Sequence, residues 1–250
     1  MLYCKRFIVN FIKYEILTIM KSFTQMMFKR NVYIILLFAA AFSACKKTET
    51  DTSISYLRVI NASPALATYN VYFSGSILNS AALPFAGSVS YGSHAPGSYS
   101  LKFTTASNVE SLLTKTVSLS QGTYQSFYLI NKPGQLDGLT IGDDLSVPSA
   151  DKAYIRFINL SPDAPALDLL KTGATSSLTT NKAYKAASGF IAIDAGTVSL
   201  DVKDSSTGAI KTTLSSSFVA GLHYDVICGG LISPANDTER PLSLRSILIK

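Results

Sequence analysis

The side chains in this sequence that could do chemistry are few and do not form a recognisable set. His94 and His223 are the only histidines. Nucleophilic catalysis needs a nucleophile beside a general base, usually with a third group orienting the base. Ser and Asp are plentiful, but no Gly-x-Ser-x-Gly, His-Glu-x-x-His, glycine-rich phosphate loop or Cys-x-x-Cys occurs. Asp163, Asp168, Asp194 and Asp201 offer carboxylate oxygens of the kind calcium takes, without the EF-hand spacing. Turn and strand-end roles suit them better, since an acid after Pro162 can bond backbone in a turn. Arg58 and Arg156 lie inside apolar runs. The expectation for each is a half-buried side chain that packs its stem and bonds carboxylate or carbonyl groups. Cys228, within Val226-Ile227-Cys228, reads as a small buried hydrophobe. We therefore expect no enzyme, no metal and no cofactor.

The two histidines also differ in position within a sequence that otherwise repeats. Tyr56-Leu-Arg-Val-Ile-Asn-Ala-Ser-Pro64 recurs 98 residues later as Tyr154-Ile-Arg-Phe-Ile-Asn-Leu-Ser-Pro162. Pro96-Gly-Ser-Tyr-Ser-Leu-Lys-Phe103 and Gly122–Ile130 recur 99 residues later, at Ala195–Val202 and Gly221–Gly229. On that alignment His94 stands opposite Ile193, and His223 opposite Tyr124. Within each copy the signal is strand: Tyr56, Arg58 and Ile60 alternate with Leu57 and Val59, and Ser126 and Tyr128 with Phe127 and Leu129. Turn signals such as Ser74-Gly75, Pro96-Gly97, Gln121-Gly122 and Pro133-Gly134 fall about every ten residues. The expected fold is all-β: two tandem β-sandwich modules of immunoglobulin or transthyretin type, over 54–146 and 152–250. Gly142–Ala150 is the expected link. The final run Leu242–Ile249 is the segment that could pair with either half.

Charge belongs to the front of the chain. Of 22 basic and 16 acidic residues, six basic and one acidic fall in residues 1–44, leaving 16 and 15 for the rest. The overall charge of +6 is thus no sign of a nucleic-acid partner. Phe28-Lys-Arg-Asn31, the apolar run Val32–Phe42 and Ser43-Ala44-Cys45 have the order of a secretory signal. Eleven apolar residues rise about 16 Å as a helix, short of the roughly 30 Å of bilayer hydrocarbon. Residues 1–26 read as an overextended start, with Met26 or Met27 as the initiator, or alternatively as a long n-region that is removed, and 45–53 as the lipidated cysteine and a polar tether.

Ser43-Ala44-Cys45 resembles the lipobox of bacterial lipoproteins, with Phe42 in place of the usual Leu. That resemblance implies acylation of Cys45 and a protein anchored by lipid to the bacterial envelope, at the outer membrane. The repeated blocks resemble the opening motif of the domain-of-unknown-function 4397 family (DUF4397). The residues that match are Arg58, Asn61, Ser63 and Pro64 in the first copy. In the second they are Arg156, Asn159, Ser161, Pro162, Asp163 and Asp168, while Ala65 and Asn70 replace the two acids in the first. The resemblance implies secreted or lipid-anchored β-sandwich proteins without an assigned activity, and structural use of these residues is the corresponding expectation. Asn61 and Asn159 head glycosylation sequons by pattern, but side-chain bonds to backbone at the strand end fit them better. The expected role is non-catalytic: binding, adhesion or structural support. The alternative is an accessory glycan- or nutrient-binding lipoprotein of an outer-membrane uptake system. Partners are then the membrane and a glycan or another envelope protein. Ligand specificity is expected in loops that differ between the copies, Asn79–Pro84, Ala106–Glu110 and Ser205–Ala209.

Overall fold

A computed structural model describes residues 54–249. Cys45, the tether and the signal segment lie outside the described residues. The sixteen strands are β1 (Ser55–Asn61), β2 (Tyr69–Phe73), β3 (Ser76–Ile77), β4 (Ser88–His94), β5 (Gly97–Thr105), β6 (Leu113–Leu119), β7 (Tyr124–Ile130), β8 (Asp137–Gly142), β9 (Lys152–Asn159), β10 (Leu167–Lys171), β11 (Ser177–Lys182), β12 (Ile191–Asp194), β13 (Gly196–Asp204), β14 (Ile210–Phe218), β15 (His223–Gly229) and β16 (Ser243–Leu248). No helix occurs among the described residues.

The first module stacks sheet β4-β1-β7-β8 on sheet β3-β2-β5-β6, and the second stacks β12-β9-β15-β16 on β11-β10-β13-β14. β1 pairs parallel with β7 in the register Tyr56 to Tyr124 and Arg58 to Ser126. β9 pairs parallel with β15 in the matching register, Tyr154 to His223 and Arg156 to Asp225. The remaining ladders are antiparallel. The last strand pairs with β15 and so belongs to the second module.

Period-two alternation divides every central strand between two interiors. Leu57, Val59, Phe127 and Leu129 point into the first sandwich with Val71, Leu101 and Phe103. Phe103 and Phe127 stack there at 5.6 Å between centroids. Phe127 also fills the space a side chain would need at Gly138, where a Cβ would lie 2.2 Å from the ring. Ala153, Ile155, Phe157, Val226 and Cys228 point into the second sandwich with Leu167, Leu200 and Val202.

The opposite faces of the same strands are buried as well. Ile60, Ala62, Tyr128 and Ile130 of the first module pack against Ile158, Leu160, Ile227 and Ile247 of the second. The central sheets of the modules therefore meet face to face, and the whole is four sheets deep. Loops complete the contact: Lys185 Nζ reaches Asp137 Oδ2 at 2.8 Å, and Lys132 Nζ reaches Glu239 Oε1 at 2.9 Å. The loop after β15 bridges back to the first module, with Arg240 N donating to Pro64 O at 3.1 Å.

Cys228 lies wholly inside the second core, and burial pushes its thiol up to about 12. Only the thiolate reacts with alkylating reagents. In the native protein iodoacetamide should leave Cys228 unmodified at neutral pH, with full modification after denaturation in urea. Peptide mass spectrometry reads both states. Rapid native alkylation at this residue would contradict its placement.

A buried charge network and a cleft between the modules

Arg58 and Arg156 project from equivalent positions of β1 and β9 into the contact between the modules. Sequence reading expects half-buried side chains, but both are only 2% exposed. The second module covers what would be the solvent face of the first. Arg58 Nε donates to Ser126 Oγ at 2.6 Å, and its Nη2 donates to Tyr128 Oη at 3.3 Å and to Asp225 Oδ2. Arg156 Nε donates to Asp225 Oδ1 at 2.8 Å, Nη1 to Gly142 O at 3.0 Å, and Nη2 to Tyr128 Oη at 3.1 Å. The same Nη2 lies 2.6 Å from Asp143 Oδ1. Tyr128 Oη donates to Asp225 Oδ2. Ser126 Oγ and Tyr91 Oη both donate to Asp143 Oδ2, at 2.6 and 2.5 Å.

Two guanidinium groups thus face two carboxylates, one from the end of β8 and one from β15, and the cluster is neutral as a whole. Buried charge survives in a protein only when paired and hydrogen-bonded in this way. Desolvation alone would lower the arginine pKa values, but the coulombic pull of Asp225 and its neighbours outweighs it and raises both. Tyr128 is raised well above the ordinary tyrosine value, by desolvation first and then by Asp225. Its hydroxyl stays protonated and remains a donor.

Sequence reading missed Asp143, Asp225, Ser126, Tyr128 and Tyr91. One signal was available: Asp225 interrupts an apolar strand at the place where its register partner on β9 is an arginine. The linker aspartate carried no such mark.

The remaining sequence candidates have structural partners, in backbone or in other side chains. Asn61 Oδ1 accepts from Ser63 N at 3.0 Å, and its Nδ2 donates to Leu83 O at 3.0 Å. Asn159 repeats this with Ser161 N at 3.2 Å, and its Nδ2 donates to Lys182 O at 3.0 Å and Pro165 O at 3.2 Å. Ser63 Oγ donates to Asn131 O at 2.7 Å, and Ser161 Oγ to Asp163 Oδ1 at 3.1 Å. Pro64 and Pro162 follow these turns out of β1 and β9. Asp163 also accepts from Ile232 N and Ser233 N at 2.9 and 3.0 Å, so it fastens the loop after β15 as well as bonding within its own turn. Asp168 accepts from Asn181 N at 2.8 Å and from Ser205 Oγ. Asp201 accepts from Thr172 and Thr213, and Asp194 pairs with Lys152 and Lys171. These four acids thus have separate partners. Among the described residues no three His, Cys, Asp or Glu side chains gather as a metal site would require.

The histidines sit in aromatic stacks. His94 lies on Phe73 at 4.2 Å, and desolvation lowers its pKa. His223 stacks on Tyr154 at 4.9 Å and meets the edge of Phe190 at 4.8 Å. Tyr124, its counterpart, stacks on Tyr56 at 4.3 Å and meets Tyr91 edge-on at 5.1 Å. The repeat therefore extends to a three-ring cluster at each position.

Beside the second of these clusters opens a cleft of about 400 Å³. One wall is the linker, through Gly142, Asp144, Ser146 and Pro148. The other is the second module, through Tyr154, Arg156, Ser188, Gly189 and Phe190. The linker wall is held at several points. Asp143 N donates to Tyr124 O at 2.8 Å, and His223 Nε2 lies 3.0 Å from Ser146 O. Ser149 N donates to Tyr154 Oη at 2.6 Å, while that hydroxyl donates to Ser149 O at 2.9 Å. Ser146 N donates to Asp144 Oδ1 at 3.1 Å, which holds this exposed carboxyl below the usual range. Arg156 forms the base, with Phe190 lying 4.8 Å from its guanidinium carbon. Each of the three nitrogens of Arg156 already donates within the protein. The cleft thus offers aromatic carbon, one ionised carboxylate and hydroxyl groups on fixed supports.

Residues 55–170 match the model of a family described as a domain of unknown function, DUF4397. The match runs from β1 into β10. No curated protein matches. Among solved structures, the Bacillus anthracis TIE protein aligns over 72% of this chain and 34% of its own, at 12% identity and a TM-score of 0.24. A family 26 carbohydrate-binding module from Eubacterium rectale Amy13K, solved with maltoheptaose, aligns over 78% and 96% at 11% identity and 0.24. A streptococcal virulence factor described as binding alpha-glucan aligns over 69% and 93%, also at 11% and 0.24. Likeness this slight carries no argument about what the chain binds.

Proposed function

We propose that this chain is a lipid-anchored protein of the bacterial envelope whose two modules, both of the DUF4397 type, form one rigid body with a non-catalytic binding role. The observation that carries the binding role is the cleft whose linker wall is fastened to both modules. A preformed concavity of this size, with mixed apolar and polar lining, is the usual form of a small-ligand site. The groups best suited to acid–base chemistry have structural partners instead: His223 is stacked between rings and bonded to the linker, and Asp143 and Asp225 neutralise two arginines. The anchoring rests on the order of charges, apolar run and cysteine in residues 28–45.

Gly189 supplies the test. It lines the cleft, has no atom beyond its own chain neighbours within 4 Å of where a Cβ would stand, and lies outside the left-handed region. Gly189→Leu should therefore fill the cleft without straining the fold. A thermal-shift screen of sugars, amino acids, nucleosides and polyamines should find a compound that stabilises the wild type but not this variant. At a hundredfold excess over Kd, binding stabilises by about 2.7 kcal/mol. For a chain of this size that is a rise of about 5–10 °C in Tm. If every compound shifts both proteins equally, the cleft is not the binding site.

A further inference from the structure

We propose, building on the binding role just given, that the cleft holds one pyranose ring of a neutral saccharide. A pyranose has C–H groups on its faces and hydroxyls around its rim, and the two kinds of cleft wall match that division. Phe190, half-buried on one wall, presents aromatic carbon, against which a C–H face packs with the area burial that makes rings strong anchors. Asp144, on the opposite wall, is ionised and accepts hydrogen bonds only, so its ligand must bring donors. The volume of about 400 Å³ is near the small end of the range for ligand sites, enough for one ring and its substituents.

Charge narrows the choice. Asp144 opposes an anion, and Arg156 offers no compensating attraction. Its Nε is on Asp225, its Nη1 on Gly142 O, and its Nη2 on Tyr128 and Asp143. A cationic ligand would satisfy Asp144 but meet an aromatic wall already facing a fixed cation, since the Arg156 guanidinium lies 4.8 Å from the Phe190 centroid. Hydroxyl donors satisfy Asp144 without adding a charge beside that arginine. The pseudo-equivalent place in the first module is built differently. There the counterpart of Phe190 is Tyr91, which turns its hydroxyl onto Asp143 at 2.5 Å. The saccharide site is therefore a property of one half of the repeat and of the linker.

Saturation-transfer NMR on the detergent-solubilised full chain tests this, with the methyl glycosides of glucose, galactose and mannose as probes. The expected result is transfer to the ring protons of at least one of them in the wild type. Asp144→Ala should bind it at least tenfold more weakly, and Gly189→Leu should show no transfer while keeping the wild-type Tm. Absence of transfer to all three glycosides overturns the proposal, as does transfer that persists undiminished in Gly189→Leu. Tetramethylammonium, run in the same way, separates the class of ligand from the site. Transfer to this cation that Gly189→Leu abolishes, with none to the glycosides, would keep the cleft as a binding site and remove the saccharide.

Discussion

Replacing Asp225 by alanine is expected to lower the stability of the protein by about 3–5 kcal/mol, the cost of removing one partner from a buried ion pair. Asp225 is fully buried and accepts from Arg58, Arg156 and Tyr128. Its loss leaves two guanidinium groups in the contact between the modules with Asp143 as the sole remaining carboxylate. Asp225→Asn, which keeps the shape, should recover little, because the deficit is one of charge. Arg58→Met should cost less than Asp225→Ala, since Asp225 would still have Arg156. Urea unfolding measures the difference. The wild type should unfold in one transition, because the contact couples the modules, and Asp225→Ala should broaden or split it. A loss below about 1 kcal/mol with an unchanged single transition would show that the network does not hold the modules together.

Replacing Cys45 by serine is expected to move the protein from the membrane fraction to the soluble one. Each buried methylene of an acyl chain is worth about 0.8 kcal/mol, and one chain holds only marginally while two or more hold stably. The described residues carry no helix long and apolar enough to cross a membrane. The thiol at position 45 is the acylation site that the Ser-Ala-Cys pattern implies. Fractionation with metabolic fatty-acid labelling gives the readout. Label that persists on the serine variant would end the anchoring proposal.

The all-β class and the two sandwiches were legible because each depends on short-range pattern. Alternation such as Leu57-Arg58-Val59-Ile60 identifies a strand, and blocks repeated about 98 residues apart identify a second copy of the same unit. The contact between the copies was not legible. Alternation tells which residues share a face but not what lies against it, so Arg58 and Arg156 read as half-buried. The acids that pair with them come from different places, Asp225 on a strand and Asp143 at the edge of the linker, and neither is repeated in the other copy. Repetition drew attention to Asn61, Ser63, Asn159 and Ser161, whose bonds shape the exits from β1 and β9. The cleft depends on unrepeated residues, chiefly Asp144, Ser146 and Phe190, which a comparison of the copies passes over.

The face-to-face packing of equivalent sheets is the arrangement that two separate, identical modules would adopt as a symmetric dimer. In such a dimer every residue on the axis-facing surface is duplicated. Arg58 would meet its own copy, and the position of Ser126 would hold serine on both sides or aspartate on both. Neither option resembles what is found, where a single aspartate at 225 stands opposite serine at 126 and serves both guanidinium groups. Tyr128 opposite Ile227 and Tyr91 opposite Phe190 divide in the same manner. Joining the halves in one chain freed each from copying the other. The first module on its own therefore carries Arg58 on its central sheet without Asp225, the carboxylate that bonds it directly.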